Sequence, residues 1–161
     1  MSHFSNCTEQ FSKKITIGGD TMLFLGTYNN SIDASNRLTV PARYREEFGS
    51  EAVLFRAVEG CINIYTTGEF SKIVDKAREG AVGAKNREKL RNFFADATTV
   101  TVDRAGRIII PADYMQHASL ATDVTVLGVG THFEVWNRET FNTDYGDRDG
   151  APAFDYPDIV L

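Results

Sequence analysis

Short runs of β-branched, aliphatic and aromatic residues alternate with polar positions through most of the chain, and they occur twice in the same order. The runs LFLGTY (23–28) and ATTVTV (97–102) each lead into a turn; a second run follows Arg37 or Arg107, and two more lie within AVLFRAVEGCINIY (52–65) and DVTVLGVGTHFEVW (123–136). Runs of this length, bounded by Gly, Asn, Asp and Pro, predict strands. Pro41 and Pro111 each open a short helical turn, where the missing N–H costs nothing. Helical spacing is confined to two places. Thr66 with Glu69 fits a capping box for a helix near 69–79, and GAVGA (80–84) separates it from a second near 85–95, KNREKLRNFFA, whose apolar side is Leu90, Phe93 and Phe94. Asn137 is placed to cap one final turn.

The repetition is literal over one segment. With Asp33 over Asp103, DASNRLTVPARY (33–44) aligns with DRAGRIIIPADY (103–114), and Asp, Arg, Pro, Ala and Tyr are identical. Allowing one extra residue in the second copy, 52–70 follows the pattern of 123–141, with Tyr65 on Trp136 and Phe70 on Phe141. Internal duplication of this kind organises a fold before any other feature does. A single copy is near the size that rarely buries enough apolar surface alone, so the two are expected to share one core. The expected organisation is an N-terminal extension over 1–21, a first copy over 27–70, a helical linker over 71–96, a second copy over 99–142 and an acidic tail over 143–161. The two ends, polar and rich in Gly or Pro, are expected to be mobile. Met22 is a candidate biological start.

Composition narrows the class. With 42% hydrophobic and 24% charged residues among 161, the chain has the make-up of a soluble globular protein. No apolar run approaches the roughly 18 residues of a membrane span, and the first 21 residues lack a secretory apolar core. These features point to the cytoplasm. Cys7 and Cys61 suggest neither a disulfide framework nor a metal site, and Cys61 reads as a small buried hydrophobe. The net charge of -5 is unevenly spread: 144–161 carry a net -4, whereas 72–91 carry a net +4. A near-neutral body with basic patches is compatible with nucleic acid.

Asp-x-x-x-Arg alone is a weak motif, and Asp144 with Arg148 supplies a match lacking the apolar run and proline behind it. The extended pattern carries the information. In both copies the residue before the arginine, Asn36 or Gly106, tolerates positive φ, as a tight inter-strand turn demands. The aspartate can accept backbone N–H bonds and hold the turn. Two readings follow. Asp33 with Arg37, and Asp103 with Arg107, are either turn-stabilising surface ion pairs or stiffened turns that project an arginine toward an anion. Arginine suits the second role, because its planar fork binds phosphate or the O6 and N7 of guanine bidentately. Arg43, Arg45 and Arg104 lie nearby, alternatively forming a solvated face balanced by Glu46 and Glu47.

MLFLGTYNNSIDASNRLTVPARYR and DRAGRIIIPADY resemble the MraZ family, bacterial transcriptional regulators built from two tandem SpoVT/AbrB-like domains; the resemblance covers about 22–143. It implies an α+β, β-rich double swapped-hairpin barrel with linker helices, assembled into a homo-oligomeric ring. It further implies repression through repeated operator elements upstream of the family's own gene, at the head of the division and cell-wall cluster. The family's DNA-contacting arginine corresponds to Arg37, with Ser35 and Asn36 standing where many relatives carry Lys-Gly. The expected DNA-binding residues are Arg37, Asn36, Arg43, Arg45, Arg104 and Arg107, and Asp33 and Asp103 are expected to stabilise the turns. The expected partners are double-stranded promoter DNA with direct repeats and the chain itself, in a cytoplasmic, nucleoid-associated setting and without membrane or cofactor.

Two other classes compete. For an enzyme, His3, His117 and His132 show no spacing with a nucleophile; Cys61 and His132 merely occupy equivalent positions, and no Gly-rich phosphate loop or metal spacing appears. The stronger alternative is a structural ring-forming module that never touches DNA. The aromatic residues Phe24, Tyr28, Tyr65, Phe93, Phe94, Phe133 and Trp136 fall at spacings suited to packing, and duplex DNA offers no free base faces on which to stack.

Overall fold

The computed structural model describes residues 16–17, 21–80 and 83–145. Strand β1 (Thr16–Ile17), within the N-terminal extension expected to be mobile, pairs antiparallel with β2 (Thr21–Met22). The remainder of that extension, and the tail beyond Tyr145, lie outside the described residues. The first copy comprises β3 (Thr27–Ser31), β4 (Arg37–Thr39), a 3₁₀ turn (Ala42–Tyr44), α1 (Arg45–Phe48), β5 (Glu51–Arg56) and β6 (Ile62–Thr66). Helices α2 (Thr67–Glu79) and α3 (Ala84–Ala95) follow. The second copy is β7 (Ala97–Thr101), β8 (Arg107–Ile109), α4 (Ala112–His117), β9 (Asp123–Gly128) and β10 (Phe133–Asn137), closed by α5 (Arg138–Tyr145). The fold is thus α+β, with every sheet pairing antiparallel. No helix among the described residues is long and apolar enough to cross a membrane.

The caps fall where side-chain chemistry puts them. Thr66 Oγ1 accepts the N–H of Glu69 at 3.1 Å, and Asn137 Oδ1 accepts that of Thr140 at 3.0 Å. Both satisfy N–H groups that a first helical turn leaves without partners. Beyond Asn137 the helix runs eight residues to Tyr145, longer than the single turn expected. Trp136 lies 6.1 Å from Phe141 and 5.4 Å from Tyr145 between ring centroids, which gives the extra turn an apolar seat. Strand β3 starts later than the apolar run 23–28 suggests. Gly26 takes φ 94, and the chain before it turns Phe24 inward to exchange backbone bonds of 2.7 and 2.8 Å with Gly130.

Strand pairing crosses between the copies. The six-stranded sheet has the order β3-β9-β10-β6-β5-β7 and is not closed: β3 of the first copy edges the second copy's hairpin, and β7 of the second edges the first copy's. Strands β4 and β8 form a separate antiparallel ribbon. One face of this ribbon carries Leu38 and Ile108, exposed by 1% and 0%. With Val40 and Ile110 they join Ile62, Ile64, Val124, Val126, Phe133 and Val135 in one core. Burying a side chain of this size contributes about 1.5–3 kcal/mol. Tyr44 and Tyr114, equivalent in the repeat, are both buried, and their hydroxyls reach backbone at Leu25 and Asp96. Phe24, Tyr44, Phe48 and Phe133 pack around one another at centroid distances of 4.8 to 6.3 Å.

Register corrects the repeat alignment within one strand. Ala52 pairs with Thr66 and Leu54 with Ile64, whereas Val124 pairs with Asn137 and Val126 with Val135. Ala52 is therefore equivalent to Val124 and Val53 to Thr125, one position from the alignment that matches Val53 with Val124. A one-residue slip would move every side chain of the strand to the opposite face. The hairpin loop, one residue shorter in the second copy, restores the phase by Phe133.

Candidate nucleic-acid interface

The turn between β3 and β4 is built by one aspartate. Asp33 Oδ1 accepts the N–H groups of Ser35 and Arg37, each at 2.9 Å, while Oδ2 accepts Arg37 Nε at 2.9 Å. Two main-chain bonds close it: Asp33 N–H to the Arg37 carbonyl at 3.1 Å, and Asn36 N–H to the Asp33 carbonyl at 3.0 Å. Asn36 accordingly sits at φ 60. The turn between β7 and β8 repeats this set. Asp103 Oδ1 receives Ala105 and Arg107 N–H, Oδ2 receives Arg107 Nε, all at 2.9 Å, and Gly106 takes φ 75. Both aspartates are held below the usual carboxylate range, chiefly by the backbone N–H of Arg37 or Arg107. They are therefore ionised at neutral pH.

Each arginine thus commits one of its five N–H donors, on Nε, to the turn. The Arg37 side chain keeps 36% exposure and that of Arg107 39%. An exposed, solvent-screened pair of this kind contributes little to stability. Its larger effect is orientation, because the guanidinium is fixed relative to the ribbon without being buried.

The ribbon register decides what accompanies the arginines. Arg37 pairs with Ile109 and Thr39 with Arg107, so these four side chains share the face opposite Leu38 and Ile108. Main-chain bonds lash the ribbon to both turns, from Val40 N–H to the Gly106 carbonyl at 2.8 Å and from Ile110 N–H to the Asn36 carbonyl at 2.9 Å. The result is a pseudo-symmetric outer face in which one arginine from each copy lies diagonally across from the other. Sequence reasoning named both arginines but missed Thr39 and Ile109. The signal was available in the period of two: residue i+2 from each arginine must share its face.

The other expected residues divide. Arg104 is exposed at the second turn, where Arg45, Asp103 and Gly106 line the same shallow cleft of about 410 Å³. Arg45 thus joins the second copy's turn although in sequence it follows the first. Its Nε donates to the Val40 carbonyl at 3.2 Å, and its stem fills the space that a Cβ on Gly106 would need. Arg43 instead seats its guanidinium 5.1 Å from the centre of the Tyr44 ring and beside Tyr28. Cys61 and His132 do not pair. Cys61 Sγ lies 3.3 Å from Glu134 Oε2, and burial pushes its pKa up, away from thiolate. His132 stacks on Tyr65 at 4.4 Å, its pKa lowered to about 4 by burial. Among the described residues no group of three His, Cys, Asp or Glu could hold a metal ion.

Two tandem β-rich copies that exchange edge strands and jointly present paired Asp-x-x-x-Arg turns define a duplicated domain of one architectural type. The family model described as "MraZ protein, putative antitoxin-like" matches residues 23–92 and again 93–150. The transcriptional regulator MraZ of Micrococcus luteus is 36% identical over 130 residues, which cover 80% of this chain and 91% of its own. That of Bifidobacterium longum is 36% identical over 140 residues, covering 86% and 93%. That of Clostridium acetobutylicum is 32% identical over 118 residues, covering 73% and 83%. The chain belongs to the MraZ family, and it carries two tandem MraZ domains. These relatives are named as regulators of transcription and not as enzymes.

Proposed function

We propose that this protein is a sequence-specific DNA-binding regulator of transcription, acting in the cytoplasm on the nucleoid as an autorepressor at repeated operator elements upstream of a division and cell-wall gene cluster. The observation that carries this reading is the outer face of the β4–β8 ribbon, where two arginines fixed by their turns point away from an apolar underside. A two-stranded antiparallel ribbon fits the major groove, and arginine is the side chain suited to guanine O6 and N7. The names of the relatives support the same class. On this reading Arg37 and Arg107 make the principal contacts. Asn36, Arg45 and Arg104 border them, Arg43 supports from the flank, and Asp33 and Asp103 hold the geometry. The exchange of β3 and β7 supports an interleaved swapped-hairpin barrel built from domains over 27–70 and 99–142, with 71–96 as linker and a homo-oligomeric ring as the assembled form.

Arg37→Ala and Arg107→Ala test the assignment together. If an arginine reads guanine, its loss costs about 1–3 kcal/mol per engaged subunit and relaxes preference at that base pair. If it holds phosphate, affinity falls evenly across sequences and the salt slope drops by about one per lost contact. Titration of upstream DNA at several salt concentrations, with thermal melts of the same variants, separates these outcomes. Wild-type affinity for both folded variants would overturn the site. A second reading, a ring-forming scaffold, draws support from α2 and α3, neither of which buries a residue within the chain. An assembled protein that shifts no DNA favours that reading.

A further inference from the structure

The two arginines of the ribbon face are equivalent in the repeat, but the residues between them are not: the position that is Thr39 in the first copy is Ile109 in the second. Ile109 is 58% exposed. A lone exposed aliphatic residue is ordinary on a protein surface, but this one sits directly across the ribbon from Arg37, on the face that carries both arginines. Cross-strand neighbours have Cβ atoms about 4.5–5.5 Å apart, while successive base pairs rise about 3.4 Å along the duplex. A side chain beside a guanine-reading arginine is therefore within reach of the adjacent base pair. In the major groove the apolar feature of a base edge is the thymine C5 methyl.

We propose that Ile109 is a specificity-determining residue, seated on the C5 methyl of a thymine one step from the guanine that Arg37 reads. This rests on the DNA-binding reading above and deepens it. Thr39 offers one methyl and a hydrogen-bonding hydroxyl beside Arg107, where Ile109 offers a larger, wholly apolar side chain beside Arg37. The arginines alone would read DNA with near two-fold symmetry. The difference between Ile109 and Thr39 gives the ribbon a direction, which suits an operator of direct repeats and not inverted ones.

The probe is the duplex that the full-length wild-type chain enriches from a randomised double-stranded pool, remade with each thymine in turn replaced by deoxyuridine, which lacks only the C5 methyl. One buried methyl corresponds to about 0.8 kcal/mol, or about fourfold. Deoxyuridine at one thymine per repeat should weaken wild-type binding by about that factor per engaged subunit. Ile109→Ala should bind the thymine probe correspondingly more weakly and no longer distinguish thymine from deoxyuridine there. Its guanine preference and salt slope should remain those of wild type, because Ile109 neutralises no phosphate. Ile109→Val should retain the discrimination, and Ile109→Thr should enrich a more nearly palindromic site. Wild-type indifference to deoxyuridine at every position, with specific binding intact, overturns the role of Ile109 and spares the DNA-binding reading. Persisting discrimination in folded Ile109→Ala does the same, as does a changed assembly mass in that variant with its thymine preference intact. Failure of the wild-type chain to enrich any sequence sinks the underlying reading and this proposal with it.

Discussion

Asn36 and Gly106 hold the same left-handed backbone, at φ 60 and 75, yet their tolerance of substitution should differ. Asn36→Gly relieves the αL cost but frees the unfolded chain, so stability should stay within about 0.5 kcal/mol of wild type. Gly106→Ala adds a Cβ at positive φ, which costs about 1–3 kcal/mol, and also drives that Cβ into the Arg45 side chain. Arg45→Ala in the same background should recover the collision but not the backbone strain, a coupling that urea unfolding of the double-mutant cycle measures. A pH effect belongs to this scale too. Burial lowers His132 to about 4, against the opposing pull of Glu59, while the unfolded value is about 6.5. The unfolded state therefore takes up the proton first. The contribution of His132 is fully present above pH 6.5 and is lost as pH falls toward 4. Glu134, raised by burial, acts in the opposite sense, and Asp33 and Asp103, both lowered, lose their contribution only at still lower pH. His132→Phe keeps an aromatic partner for Tyr65 and should flatten the loss of stability between pH 6.5 and 4. An unchanged slope in denaturation series across that window would reject the assignment.

Exchange of strands makes the two copies one folding unit. Without the second copy, β4 has no ribbon partner, Leu38 loses its seat beside Ile108, and the outer edge of β5 stands unpaired. Fragments covering 21–82 and 83–145 should each be unfolded alone by circular dichroism, and an equimolar mixture should regain strand signal. An independently folded first fragment would contradict this. The elements themselves were legible because their causes are local: alternation marks strands, Pro41 and Pro111 stop them, and Thr66 and Asn137 cap helices. The doubled Asp-x-x-x-Arg turn was legible for the same reason, down to the left-handed residue before each arginine. Pairing was not legible from alternation, and only the family resemblance pointed to swapped hairpins, because two copies with the same pattern satisfy alternation whether each strand pairs within its own copy or with the other. The seat of Arg45 was hidden by the same ambiguity, since only the β4–β8 crossing carries it to Gly106. The late start of β3 depended on distant residues: Gly128 approaches the backbone of Phe24 and Leu25 so closely that no Cβ fits.

At the scale of the whole molecule, the described residues offer one arginine-bearing ribbon face and an incompletely covered helical hairpin. Phe93 stacks on Phe70 at 5.7 Å, while Phe94 remains 44% exposed on the same hairpin. Covering that surface with a second copy is the physical motive for the proposed ring. Light scattering should therefore return a discrete multiple of the chain mass at micromolar concentration, and a monodisperse monomer would remove the ring from the account. Assembly has a consequence for DNA. In the proposed ring, subunits held in a rigid array would present their Arg37 and Arg107 faces at fixed intervals, so the proposed operator repeats would have to bring equivalent guanines to the same side of the duplex. That requires spacing of about 10–10.5 bp or its multiples. Inserting half a helical turn between two repeats rotates one of them to the far side. Affinity should then fall toward that of a single repeat, and inserting a full turn should restore much of it, less the cost of bending or twisting the longer linker. Equal affinity for half-turn and full-turn insertions would mean that each subunit binds its repeat independently, leaving the ring no part in recognition.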